Sequence, residues 1–194
     1  MKKKKAIIFD LDNTIYPAPS IGEKLFEPLF KKIKESGEHD DDFEEMKKDF
    51  MRIPFQAIAE QYKIEDPLKE ECMQMLKELT YDGPMQAFED FEPMRQLPME
   101  KFVVTTGFMK MQQAKVKSLD LERDFKGIYI VDPTTTEKTK KDLFKEIMAE
   151  YVYAPDEVLV IGDDPDNEIK GATELGIDTV LYDPKNELQQ GSAT

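Results

Sequence analysis

The sequence predicts an α/β protein: a three-layer, Rossmann-like parallel sheet with a small helical domain inserted into it. Two observations predict this. Short apolar runs rich in β-branched residues alternate with helical patterns from about residue 85 onward. Such alternation marks a parallel sheet covered by helices on both faces. The stretch between the first two runs, by contrast, is far too long for a simple crossover and carries no strand pattern.

Taken in chain order, the first strand is Ala6 to Phe9, preceded by the lysines at 2 to 5, which keep the chain soluble or blunt the start of the strand. Tyr16-Pro-Ala-Pro-Ser20 is linker chemistry. After it, Ile21, Leu25, Phe26, Leu29, Phe30 and Ile33 form a helical stripe with Ser20 as the expected N-cap. Phe43, Met46, Phe50 and Met51 suggest at least one further helix, and Cys72, Met73, Leu76 and Leu79 another after Asp66-Pro67. Asp82-Gly-Pro84 closes the segment. Residues 21–81 are therefore expected to form a helical cap inserted between residues 1–20 and 82–194 of the sheet domain. The remaining strands are expected at Phe102 to Val104, Gly127 to Val131, Glu157 to Ile161 and Thr179 to Tyr182, with a helix through Leu143, Phe144, Ile147, Met148 and Tyr151. The acidic patch Glu38 to Asp42 reads as a solvated loop, and His39 within it as inert.

Composition excludes several functions. With 27 basic against 41 acidic side chains the net charge is -14, which opposes binding to nucleic-acid polymers. No apolar run is long enough for a membrane span, and Asp10 interrupts the first one, so a cytoplasmic protein without membrane contact is expected. The single cysteine, Cys72, rules out an intramolecular disulfide framework and reads as a core thiol.

The chemistry gathers at strand ends. Ile7-Ile-Phe-Asp10-Leu-Asp12-Asn-Thr14 delivers two carboxylates to the carboxyl edge of the sheet, where such folds bind ligands, and strand alternation sends them the same way. Adjacent acids repel unless a cation or proton lies between them. Phe102-Val-Val-Thr105-Thr-Gly107 ends in a hydroxyl and a glycine, a fit for phosphate oxygens. Val158-Leu-Val-Ile-Gly162-Asp163-Asp164, with Asp166 and Glu168 behind it, supplies hard oxygen ligands for Mg²⁺. Lys138, six residues before Phe144, can bring a positive charge to the same edge.

Together these residues resemble the four motifs of the haloacid dehalogenase-like superfamily. Asp10-Leu-Asp-Asn-Thr14 resembles the first motif, Val103-Val-Thr105 the second, Lys138 the third and Gly162-Asp163-Asp164 the fourth. The insertion after the first motif is similar to that family's C1-type cap, and Asp-Asn-Thr-Ile-Tyr16-Pro17 resembles the opening of its pyrimidine 5'-nucleotidase-like branch. The resemblance implies that Asp10 is the nucleophile and Asp12 the general acid and base. It implies that Thr105 holds the phosphoryl group and Lys138 neutralises charge beside Asp10. Mg²⁺ would sit on the Asp10 carboxylate, the Asp12 backbone carbonyl and Asp163. Glu168 stands where the family usually has Asp and is one methylene longer. Because the dehalogenase branch lacks an acid at the place of Asp12, the expected function is a Mg²⁺-dependent phosphatase acting on a small phosphorylated metabolite of nucleotide or sugar phosphate type. The alternatives are a phosphomutase or phosphotransferase of the same family, or a receiver-like phosphorylation switch without turnover. The insertion is expected to move as a lid about Tyr16 to Ser20 and Asp82 to Pro84, with Tyr16, Phe26, Phe50 and Phe55 as substrate contacts or as its core.

Overall fold

The computed structural model describes residues 3–37, 43–51 and 53–184. Strands β1 (Ala6–Phe9), β2 (Glu100–Thr106), β3 (Gly127–Val131), β4 (Val158–Gly162) and β5 (Asp178–Leu181) form one parallel sheet in the order β3-β2-β1-β4-β5. β1 is central, with Phe9 opposite Val103 on one side and Ile161 on the other. The chain builds outward from β1 through β2 to β3, then crosses back to add β4 and β5. The reversal opens a crevice beyond the ends of β1 and β4, the place where open α/β sheets bind ligands.

Side-chain alternation along β1 divides the core in two. Ile7 and Phe9 join an apolar cluster that continues without a break into the segment between β1 and β2. Ala6 and Ile8 face a second cluster built with Phe144 and Ile147. The latter two lie on α7 (Lys140–Glu150).

The long segment between β1 and β2 carries α1 (Pro19–Ser36), α2 (Phe43–Asp49), α3 (Phe55–Gln61) and α4 (Leu68–Glu78), followed by the short α5 (Phe91–Arg95). The expected stripe on α1 is buried at Ile21, Leu25, Leu29, Phe30 and Ile33. Ser20 is not its N-cap. The helix starts at Pro19, because proline presets a helical φ and loses nothing by lacking an N–H in the first turn, so Ala18 takes the cap position. Cys72 is buried, as expected of a core thiol.

The later elements are α6 (Met109–Ser118), α7, a single π turn over Pro165–Ile169 and the short α8 (Lys170–Thr173) that continues it. Each sheet run lies within two residues of its expected position. Glu157 falls in a 3₁₀ turn rather than in β4. Lys4 ties the chain start to the sheet by donating to the carbonyls of Asp156 (3.0 Å) and Val158 (2.8 Å). Lys2, the acidic patch at 38–42 and His39 lie outside the described residues. No helix among the described residues is long and apolar enough to cross a membrane.

Candidate active site

Asp10 directly follows β1, and its N–H is held by the Ile161 carbonyl of β4 at 2.9 Å, which fixes the carboxylate at the crevice. The side chain is buried, and Lys140 Nζ donates to Asp10 Oδ1 at 2.6 Å and to Glu168 Oε2 at 2.8 Å. One oxygen each of Asp10, Asp163 and Glu168 lie within 4.8 Å of one another. Burial pushes the Asp10 carboxyl up to about 7, with Lys140 opposing and Glu168 and Asp12 adding to the rise. Burial and then the Glu168 charge push Asp163 up to about 6. Despite its own burial, Lys140 is held above the ordinary lysine value by Asp10 and Glu168. One ammonium among three converging carboxylates leaves an excess of negative charge. That donor set fits a hard divalent cation, which would offset both the burial and the mutual repulsion that raise Asp10 and Asp163.

Local chain chemistry explains how these groups arrive. Thr139 caps α7 in a reciprocal box with Asp142, which sets Lys140 on the first helical residue, facing the sheet edge. Glu168 comes from the π turn after β4, and its Oε1 accepts from the Asp164 N–H at 2.8 Å. It can approach only because residue 162 is glycine: a Cβ there would lie 2.3 Å from Glu168 Cγ. Asp164 itself is taken up as an N-cap, with Oδ1 accepting from Asp166 and Asn167 N–H groups.

Asp12 forms a second centre. Its Oδ1 accepts from Lys115 Nζ at 2.7 Å and from the Tyr16 hydroxyl, and its Oδ2 accepts from Gln112 Nε2 at 2.8 Å. The same Gln112 amide donates to Thr105 Oγ1 at 2.7 Å. Burial alone would raise the Asp12 carboxyl, but the Lys115 ammonium and the hydrogen bonds from Gln112, Lys115 and Tyr16 outweigh it and hold Asp12 below its ordinary value. Two carboxyls two residues apart thus sit in opposite electrostatic environments, an arrangement that separates the roles of paired acids.

A profile described as haloacid dehalogenase-like hydrolase matches residues 7–182, from β1 to just past β5. The chain belongs to the haloacid dehalogenase-like hydrolase family. Among curated proteins it is similar to the glyceraldehyde 3-phosphate phosphatase of Methanopyrus kandleri, at 23% identity over 91% of this chain and 82% of that one. It is also similar to the ribulose-1,5-bisphosphate 5-phosphatase of Halopiger xanaduensis, at 24% identity over 94% and 86%. Among solved structures, a proposed phosphatase from Clostridium difficile shares the fold with a TM-score of 0.74, at 21% identity over 99% of this chain and 93% of that one. Membership in a hydrolase family sets aside the reading as a receiver-like switch.

Within this haloacid dehalogenase-like site the structure brings together Asp10, Asp12, Thr105 and Asp163 from three different strand ends, as the motif spacing implied. It does not bring in Lys138. That side chain is half-exposed and pairs with Glu146 at 2.7 Å, away from the carboxylates, while Lys140 takes the place beside Asp10. The reason is helix phase: the cap at Thr139 leaves Lys138 outside α7, and the first helical residue points inward. A Thr-x-x-Asp box at 139–142 was the available signal. Strand alternation also does not extend to Asp12, because β1 ends at Phe9 and Asn13 turns the chain with φ 57°. Gln112 and Lys115 were not anticipated. Their signal is two polar side chains inside the buried stripe Met111, Gln112, Lys115 and Val116 of α6.

Proposed function

We propose that the protein is a Mg²⁺-dependent phosphatase that hydrolyses a small phosphomonoester through an aspartyl-phosphate on Asp10. The observation that carries this reading is Asp10 itself: a buried carboxylate at the sheet's carboxyl edge, neutralised by Lys140 at 2.6 Å and close to Asp163 and Glu168. Asp10, Asp163 and Glu168 offer carboxylate oxygens for Mg²⁺, with the Asp12 backbone carbonyl expected to complete the set. The ion would supply charge neutralisation for the phosphoryl oxygens. The named phosphatase relatives support phosphoryl chemistry at such a site.

In the first step Asp10 attacks phosphorus and the ester P–O bond breaks. Lys140 fixes the orientation of the nucleophile and offsets the charge that accumulates around it. Thr105, held by Gln112, lies at the end of β2 where a phosphoryl oxygen can accept its hydroxyl proton. The leaving oxygen takes a proton from Asp12, which must therefore carry one at that moment. A phosphate dianion arriving beside Asp12 raises its proton affinity and so favours that state. In the second step Asp12 is the carboxylate, the form that Lys115 and Gln112 stabilise. It removes a proton from water, which attacks phosphorus, regenerates Asp10 and releases phosphate.

The test is hydrolysis of p-nitrophenyl phosphate with and without Mg²⁺. Turnover that requires the cation, and that Asp10→Asn abolishes while the melting temperature and circular dichroism persist, supports the assignment. Activity undiminished by exhaustive chelation, or a near-normal rate in Asp10→Asn, refutes it.

A further inference from the structure

Beside Asp12 the insertion and the sheet domain line a pocket of about 180 Å³ that opens to solvent on one side. Its walls include Phe26, Phe50, Phe55 and Leu76 from the insertion and Phe108 and Met111 from the sheet side. The ionisable and amide side chains that line it, Asp12, Gln112 and Lys115, all lie at one end, and they are engaged with one another. Both Asp12 oxygens accept hydrogen bonds, and the Gln112 amide N–H₂ serves Asp12, Thr105 and the Thr106 carbonyl. Gln112 Oε1 is a buried acceptor without a partner at this end, and Thr106, whose carbonyl Gln112 reaches, lines the pocket beside it.

The position of Asp12 sets the direction of the substrate. The group that protonates the leaving oxygen must touch it, so the ester oxygen sits at the polar end and the rest of the alcohol extends between the aromatic walls. We propose that this cavity selects a phosphomonoester whose alcohol is compact and apolar, about one ring in size, rather than a sugar phosphate or a nucleotide. This rests on the phosphatase reading and names its substrate class. Size agrees: an apolar cavity of roughly 150 Å³ accepts benzene. Chemistry agrees as well. Each sugar hydroxyl pressed against Phe50, Phe55 or Leu76 would give up water without gaining a side-chain partner, which costs about tenfold or more in affinity. Gln112 Oε1 and Thr106 leave places for polar groups of the alcohol only close to the ester end.

The experiment compares substrates whose leaving groups are chemically matched, so that pocket preference is not confused with leaving-group reactivity. Cyclohexylmethyl phosphate and ribose 5-phosphate are both phosphate esters of a primary alcohol on a ring. Steady-state rates of phosphate release with Mg²⁺ are measured for both, for uridine monophosphate and for p-nitrophenyl phosphate. The expected result is a kcat/KM at least about tenfold higher for cyclohexylmethyl phosphate than for ribose 5-phosphate or the nucleotide. Equal rates, or a preference for either polar ester, overturn the apolar assignment and leave the phosphatase reading intact. No turnover of any of the four esters overturns the phosphatase reading and this assignment with it.

Discussion

Lys138 and Lys140 differ by two positions and by everything that matters to the site. Lys140 is buried against Asp10 and Glu168, whereas Lys138 makes a surface pair with Glu146. Surface pairs of this kind contribute little, about 0–1 kcal/mol. Lys138→Met should therefore leave kcat within about twofold of wild type, while Lys140→Met should lower it by about 100-fold or more. Steady-state kinetics of both variants on p-nitrophenyl phosphate decides, and the reverse ranking would reassign the third motif to Lys138. The carboxyls that Lys140 faces make a second prediction. Asp10 at about 7 and Asp163 at about 6 hold protons more tightly when folded than at the ordinary value of 3.8. Without a cation, the stability they contribute is fully present below that ordinary value and is lost as pH rises through about 6 and 7. Mg²⁺ competes with those protons. It should raise the melting temperature little at about pH 5 and by several degrees at about pH 8. Thermal melts with and without Mg²⁺ at both pH values check this, and an equal shift at both would contradict the proposed cation site.

At the scale of elements, the site depends on how a strand hands over to a helix. After β4, Gly162 leaves open the volume that Glu168 occupies, and the π turn brings Glu168 back over the strand end. Gly162→Ala places a methyl 2.3 Å from Glu168 Cγ, so the carboxylate must move. The expected outcome is a Mg²⁺ affinity weaker by about tenfold, read by calorimetric titration, with the sheet preserved. An unchanged affinity would remove Glu168 from the cation site. On the other side of the crevice, α6 holds Asp12 through side chains one helical turn apart, Gln112 and Lys115. These are 100 and 103 positions from their partner in sequence. Such a pairing follows from α6 packing beside the loop after β1, which places two polar residues of a buried stripe opposite a carboxylate.

At the scale of the whole molecule, the insertion and the sheet share one apolar cluster, and the cavity beside Asp12 has walls from both. The Phe88 N–H donates to the Ile15 carbonyl at 2.9 Å, which ties the two connections together. Phe26 and Phe55 from the insertion face Met111 from the sheet side across this pocket, so a change in their spacing would grip or release a leaving group lodged there. The expected movement is a rotation of residues 21–81 about the segments 16–20 and 82–84, concentrated where Gly83 interrupts the prolines. Small-angle scattering with and without Mg²⁺ and orthovanadate should show a smaller radius of gyration in the bound state. An identical profile in both states would make the insertion a fixed wall.

The parallel sheet was legible from the sequence because strands buried on both faces are continuously apolar, as Ala6 to Phe9 and Phe102 to Val104 are. Asp10, Thr105 and Asp163 were legible for a related reason: each stands where such a run stops, and the carboxyl ends of parallel strands converge. Ser20 and Lys138 were misread because capping and helix phase are settled within a single turn, where Pro19 and Thr139 outweigh the wider pattern. Gln112, Lys115 and the fit of Glu168 over Gly162 were decided by tertiary structure alone. They depend on which helix face meets which strand end, and local periodicity fixes that a face is buried without specifying what it is buried against.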